Sequence, residues 1–439
     1  MLRRLPWAVF RCLSVVIVGL AGSISFGVPP VACGDESSVT AQKKPAFAKN
    51  NAETSPGNSD YTNITGFVKN ANLPIEQPVV LWKVVSQLTK KNGDALPLEI
   101  SNVVAADGIL YFGDDKGTVV ALSADTQTEL WSHPHGARVY ATPSVDRDFV
   151  YFGTKYGVTA LHRSNGEVAW RFAVDHGAEG VTPLPVGDHL YFSGCDGHVY
   201  CRNRKTGAAV WKHDLYADAP KNQQRQRALI KEAVARPNGA ACDGKLFIQS
   251  VFDQSRVIAV DCSTGKRQWT FQTEGWISPA PTIADGRVFV VSQDKHLYCL
   301  DLSTGTMHWK FKAPHWLASQ VAVHEGQVYL PCHKGRLFQL SADTGNLMRT
   351  MESPDEADRD GLVYSFPIIA NQTAYFATGK GLLLAFDLES GALRWKIRPS
   401  EGSELFTNPV TDGRQIFVTT RPTQEKTGES AIVAIGIDH

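Results

Sequence analysis

The stretch Leu297-Tyr-Cys-Leu-Asp-Leu-Ser-Thr-Gly-Thr-Met-His-Trp309 decides the fold. Apolar and polar side chains alternate through its first residues, Thr-Gly supplies a tight turn, and a Trp-bearing run follows. That is the pattern of two antiparallel strands joined by a short loop. The frame recurs along the chain. An aromatic residue begins or centres a short strand at Tyr111, Tyr151, Tyr191, Phe247, Phe289, Tyr329, Tyr375 and Phe417, at spacings of 40, 40, 56, 42, 40, 46 and 42 residues. Eight residues before the aromatic stands Pro143, Pro183, Pro281, Pro367 or Pro409, and six residues after it stands Gly117, Gly157, Gly197, Gly335 or Gly381. Trp131, Trp170, Trp211, Trp269, Trp309 and Trp395 follow 19 to 22 residues after their aromatics, and among the first seven copies only the sixth has no Trp, placing Arg349 after Gly345.

Each unit reads as a strand after the Pro, a Tyr or Phe strand, a tight turn, an alternating strand, a Thr-Gly turn and a Trp strand. This is a four-stranded antiparallel meander. A pair of helices in the same length would show apolar spacings of three and four, so a helical repeat is excluded. Four-stranded units of about 40 residues make propeller blades. After Phe417 comes Ala431-Ile-Val-Ala-Ile-Gly-Ile437 with no Trp strand to follow, while Val79-Val-Leu-Trp82-Lys-Val-Val85 is an orphan Trp strand ahead of the first full unit. Setting that strand beside Ile437 completes the last unit. The expected fold is all-β: an eight-bladed β-propeller of four-stranded antiparallel blades over residues 79–438, its ring closed by N- and C-terminal strands so that no sheet edge is left open.

These residues resemble the repeat of the pyrroloquinoline-quinone-like (PQQ-like) propellers, and the run from Leu297 to Trp309 matches that repeat closely. The resemblance implies that Trp82, Trp131, Trp170, Trp211, Trp269, Trp309 and Trp395 stack across the seams between blades; Arg349 breaks the pattern at the sixth. It also implies two functional classes. One is the non-catalytic scaffold, such as the lipoprotein of the outer-membrane protein assembly machinery. The other, more remote, is the quinoprotein dehydrogenase, which holds PQQ over Ca²⁺ with a vicinal Cys-Cys against the cofactor and an Asp as base. No Cys-Cys occurs in this chain, and six of the seven spacings lie between 40 and 46, which leaves little room for covering insertions. The reading is therefore a non-catalytic scaffold for protein partners with no cofactor expected. The alternatives are a PQQ- and Ca²⁺-dependent alcohol or sugar dehydrogenase, with Asp358, Asp360 or Glu404 as candidate bases, and a carbohydrate-binding propeller.

The remaining composition agrees with an exported globular protein. The 439 residues carry 44 Lys and Arg against 44 Asp and Glu, so there is no electrostatic footprint for nucleic acid. Arg3, Arg4 and Arg11 precede the apolar run Leu13 to Ala21, and small residues follow, which reads as an export signal over residues 1–32. Val31-Ala32-Cys33-Gly34 resembles the end of a lipoprotein signal, with Pro30 where Leu is usual. Membrane association through Cys33 lipidation or a retained anchor is the corresponding expectation, in a monomer at the periplasmic or envelope side of a bacterial cell. Residues 33–75, rich in Ser, Asn, Lys and Pro, read as a flexible tether. Cys201 and Cys299 take the place of Ala121 in the repeat and read as small buried side chains. His133-Pro-His135 offers two ligands without a third, so no metal is expected.

The connections that precede each unit gather at one mouth of the ring, and aligned positions there form rings of their own. Thirteen residues before each aromatic these are Leu98, Arg138, Ala178, Val234, Trp276, Trp316, Leu362 and Glu404; two residues onward they are Ile100, Tyr140, Gly180, Arg236, Ser278, Ala318, Tyr364 and Phe406. Trp276 and Trp316 belong to adjacent units and lie outside the repeated Trp set, and His315 flanks the second. With Arg138, Tyr140, Tyr364 and Phe406 they form a candidate aromatic platform. The insertion between the third and fourth units, Arg225 to Arg236, has Leu229, Ile230, Ala233 and Val234 on one helical face and Arg225, Arg227, Lys231 and Arg236 on the other, a candidate docking helix. The acidic run from Glu352 to Asp360 reads as a solvated loop.

Overall fold

The structure is a computed structural model that describes residues 73–437 apart from 75, 86, 90–94, 98, 216–238, 243–244, 251–254, 278, 360–362, 364, 406 and 424–428. The export signal at 1–32, the tether up to residue 72 and the candidate helix at 225–236 lie outside the described residues. So do Leu98, Val234, Ser278, Asp360, Leu362, Tyr364 and Phe406. Among the described residues no helix is long and apolar enough to cross a membrane.

The described strands form an all-β propeller. Seven sheets are four-stranded antiparallel meanders in which chain order is also spatial order. In the fifth blade the strands are Thr282–Ala284, Arg287–Val291, His296–Asp301 and Met307–Lys312. The first strands of consecutive sheets neighbour one another, and Val410–Thr411 neighbours Val104–Ala106, which brings the two ends of the ring together. The expectation of eight four-stranded blades is corrected in number: there are seven. Of the other strands, Gln87–Thr89 pairs Ala95–Pro97 as a separate hairpin, and five form a closing sheet in which Val79–Val85 pairs Ala431–Gly436, which pairs Ile416–Pro422. The cause of the difference is a short first strand. Val410–Thr411 covers only Ile416 and Phe417, and Ser403–Glu404 takes the free edge farther along at Arg421 and Pro422.

The repeat carries its own packing rule. Every Trp faces a small residue on the neighbouring strand: Ala121 opposite Trp131, Ala160 opposite Trp170, Cys201 opposite Trp211, Ala259 opposite Trp269, Cys299 opposite Trp309, Ala385 opposite Trp395, and Ala434 opposite Trp82. Beside each pair the register shifts by a bulge, which sharpens the twist and turns the indole outward to the next sheet. Burial pushes the thiols of Cys201 and Cys299 up to about 12, as suits packing residues.

Five seams are closed identically. The indole N–H groups of Trp131, Trp170, Trp211, Trp269 and Trp309 donate to the carbonyls of Arg163, Arg204, Cys262, Leu302 and Ala342 in the next sheet, at 2.8 to 3.1 Å. The ring lies on a glycine. A Cβ on Gly345 would fall 2.5 Å from Cε3 of Trp309, and its φ of 72° is left-handed as well, so both space and backbone require Gly. At the sixth seam Arg349 does the work of Trp. A Cβ on Gly391 would fall 2.3 Å from the Arg349 Cδ, and the guanidinium donates to the carbonyls of Leu388 and Glu389. Gln339 then replaces the small partner opposite it.

The seventh seam is different. Trp395 Nε1 and the Tyr375 hydroxyl both donate to the carbonyl of Pro74, at 3.2 and 3.0 Å, and Leu73 is buried in the same cluster as Tyr375, Trp395 and Ile416. Elsewhere the same pair of donors meets a carbonyl of the following sheet, as Trp211 and Tyr191 do at Cys262. A segment from ahead of the first strand thus supplies the acceptor. Trp82 Nε1 is buried and finds no acceptor among the described residues; the indole packs on Phe417 of its own sheet and belongs to the apolar cluster that includes Leu122 and Ala124 of the first blade.

Candidate functional site

One face of the ring carries the connections between sheets and the turns between second and third strands. Hydrogen bonds join these into a continuous strip on the fifth and sixth blades. Gln293 N–H, in the turn of the fifth blade, donates to the carbonyl of Trp276 at 2.7 Å. From the same turn the Lys295 carbonyl accepts the N–H of Ala313, which begins the connection bearing His315 and Trp316. His333 N–H, in the turn of the sixth blade, in turn donates to the carbonyl of Trp316 at 3.3 Å. Trp276 and Trp316 are 44% and 38% exposed, unlike the seam Trp residues.

The loop bearing Trp276 is fixed by Asp294. Its carboxylate accepts the Tyr298 hydroxyl at 2.7 Å, the His296 backbone N–H at 2.8 Å and the Glu274 backbone N–H at 3.1 Å. Burial would raise this carboxyl, but those bonds hold it below the usual range. Gly275 permits the approach, since a Cβ there would meet the Asp294 nitrogen at 2.5 Å. Asp196, His198 and Tyr200 repeat the motif on the third blade, where the Tyr200 hydroxyl donates to Asp196. The Asp-x-His-x-Tyr spacing was the sequence signal for these networks, and the sequence reading passed over it.

Around Trp316 the charge is positive. His315 is pushed below its usual pKa by burial and by Lys334, Arg336 and Lys295. Arg336 is paired with Glu352 at 2.7 Å, whereas Lys295 and Lys334 make no ion pair among the described residues. Arg138 and Tyr140 lie on the same face in the connection between the first and second blades, where the guanidinium donates to the Tyr140 hydroxyl and covers its ring at 5.3 Å. The structure therefore groups Trp276, His315 and Trp316 and places Arg138 and Tyr140 elsewhere around the ring.

A family model described as outer membrane protein assembly factor BamB matches residues 79–237 and 226–434. The chain belongs to the BamB family. The BamB of Shewanella oneidensis is 24% identical over 216 residues, 46% of this chain and 47% of that protein. A polyvinylalcohol dehydrogenase from Pseudomonas is 28% identical over 138 residues, 30% of this chain and 20% of that protein. The chain thus matches about half of one curated relative and about a fifth of the other. The crystal structure of BamB from Moraxella catarrhalis superposes with a TM-score of 0.60 at 16% identity, covering 82% of this chain and 99% of that one, which shows the fold.

Among the described residues no group of three or more His, Cys, Asp or Glu is arranged to hold a metal, and no two cysteines of the chain are adjacent. His133 and His135 have ring centroids 6.2 Å apart; Arg171 approaches the first, and the second packs edge-on against Phe152. Of the candidate bases, Asp358 is no solvated loop residue. It is buried, accepts the Ser353 hydroxyl and pairs Lys396 at 2.7 Å, which holds its carboxyl down against the upward push of burial. Glu404, half-buried at the mouth, is raised by burial.

Proposed function

We propose that this BamB-family protein is a non-catalytic propeller scaffold of the bacterial envelope, exported and serving outer-membrane protein assembly by holding a protein partner on the Trp276 and Trp316 face. The observation that carries this reading is the pair of exposed indoles on consecutive connections, each tied by its backbone to the adjoining turn. Large rigid aromatic side chains are the residues on which interfaces concentrate their energy. The kinship with BamB supports the class of partner.

The test is photocrosslinking in living cells, with the photoreactive side chain at position 276 or 316 and at exposed Thr126 as control. Adducts to an outer-membrane assembly component at 276 and 316 alone support the reading; none there, or equal labelling at Thr126, removes it. The likeness to polyvinylalcohol dehydrogenase favours a second reading, oxidation of an alcohol with PQQ and Ca²⁺. Calorimetric titration with both should be flat, and stoichiometric uptake followed by dye-linked alcohol oxidation would reverse the order of the two readings.

A further inference from the structure

Lys295 departs from the repeat at a position where departure is costly. It stands six residues after Phe289, where five other units have Gly, and keeps the left-handed backbone of that turn with φ 74°. A side chain in that region is disfavoured, and such outliers gather where a side chain serves a site. Lys334, φ 72°, occupies the corresponding turn of the sixth blade one residue earlier and is exposed. Both ammonium groups lie close enough to His315 to disfavour its protonation. Neither ammonium makes an ion pair among the described residues: the Asp294 carboxylate accepts from the Tyr298 hydroxyl and the His296 and Glu274 backbone N–H groups, and Glu352 pairs Arg336. Glu274 is exposed at the far end of the strip, two residues before Trp276.

We infer that the strip Trp276, Lys295, His315, Trp316 and Lys334 captures an acidic segment of a polypeptide, with apolar side chains resting on the two indoles and carboxylates between Lys295 and Lys334. The inference rests on the scaffold reading and names the chemistry of its partner. Apolar area gives such a contact its stability, and the unpaired ammonium groups give it preference and speed of encounter. The Glu274 end disfavours acidic residues there, so the segment binds in one direction.

The probe is a fluorescein-labelled peptide alternating Asp or Glu with Phe or Leu, followed by anisotropy against the full chain. Controls are its Asn and Gln isostere, a Lys counterpart and phosphatidylglycerol vesicles. The acidic peptide should bind, weaken with salt, and weaken about tenfold in Lys295→Gln with Lys334→Gln. Trp276→Ala with Trp316→Ala should abolish binding while both double variants keep the thermal transition of the parent. Equal binding of the neutral isostere, or no loss in the Lys variant, overturns the acidic preference and leaves the aromatic platform standing if the Trp variant still fails. Binding of vesicles but not of peptide overturns the polypeptide assignment. If the Trp variant binds as the parent does and the photoreactive side chains at 276 and 316 give no adducts, the scaffold reading falls with it.

Discussion

Two histidines on the connection face are held neutral by their surroundings. His135 is lowered to about 4 by burial, with Arg171 and His133 adding to the effect, and His333 is lowered to about 4 by burial and by His315. His333 Nδ1 accepts the Val363 N–H, which a protonated ring could not do. In the unfolded chain both return to their ordinary 6.5, so between about pH 6.5 and 4 the unfolded state binds more protons than the folded one. Stability is full above 6.5, falls as pH drops toward 4, and these residues contribute no further slope below it. The thermal midpoint of His135→Gln combined with His333→Asn should vary less between pH 7 and pH 4.5 than the parent's; an equal slope would assign the effect elsewhere. That Trp276 and Trp316 stand outside the repeated Trp set was legible from aligned sequence positions; that both indoles are exposed was not. The lysines were not, because nothing in the order of residues tells that a charge at a turn lacks a partner in space.

The blade seam is the unit in which the repeat acts. Its Trp, Gly and Thr-Gly signals were plain in the sequence, since each recurs at a fixed offset. What Arg349 does was not plain, because the carbonyls it meets belong to Leu388 and Glu389, some forty residues onward. The fifth strand of the closing sheet was hidden for another reason: Ser403–Glu404 has two residues and therefore no period. Removing Trp309 should cost about 3–5 kcal/mol as Ala. As Phe, which fills the slot but cannot donate to Ala342, it should cost about 1 kcal/mol. Urea unfolding measures both. Trp82→Phe should cost less than Trp309→Phe, because the Trp82 indole N–H has no described acceptor to lose; an equal cost would show that area alone holds the seams.

Across the molecule, the closing pair of strands was readable as an orphan Trp strand at one end and a missing one at the other. The count of four-stranded blades was not, and neither was the part played by Leu73 and Pro74, whose neighbours in sequence give no periodic signal. A chain beginning at residue 75 should lose about 2–5 kcal/mol relative to one beginning at residue 73, since two buried donors lose their acceptor and the Leu73 side chain is gone. The comparison of denaturation midpoints decides it, and coincident curves would mean that water replaces the Pro74 carbonyl at no cost.

The pairing of Val79–Val85 with Ala431–Gly436 also sets a timetable. A chain made from its N-terminus presents the first of these strands long before Ala431–Gly436, its neighbour, has been made. Until then both edges of a growing stack of sheets are open to any other extended polypeptide. The ring is therefore safest when the whole chain is delivered unfolded and at once, and a ribosome stalled, or a protease acting, ahead of Ala431 would release a product that associates with its own kind.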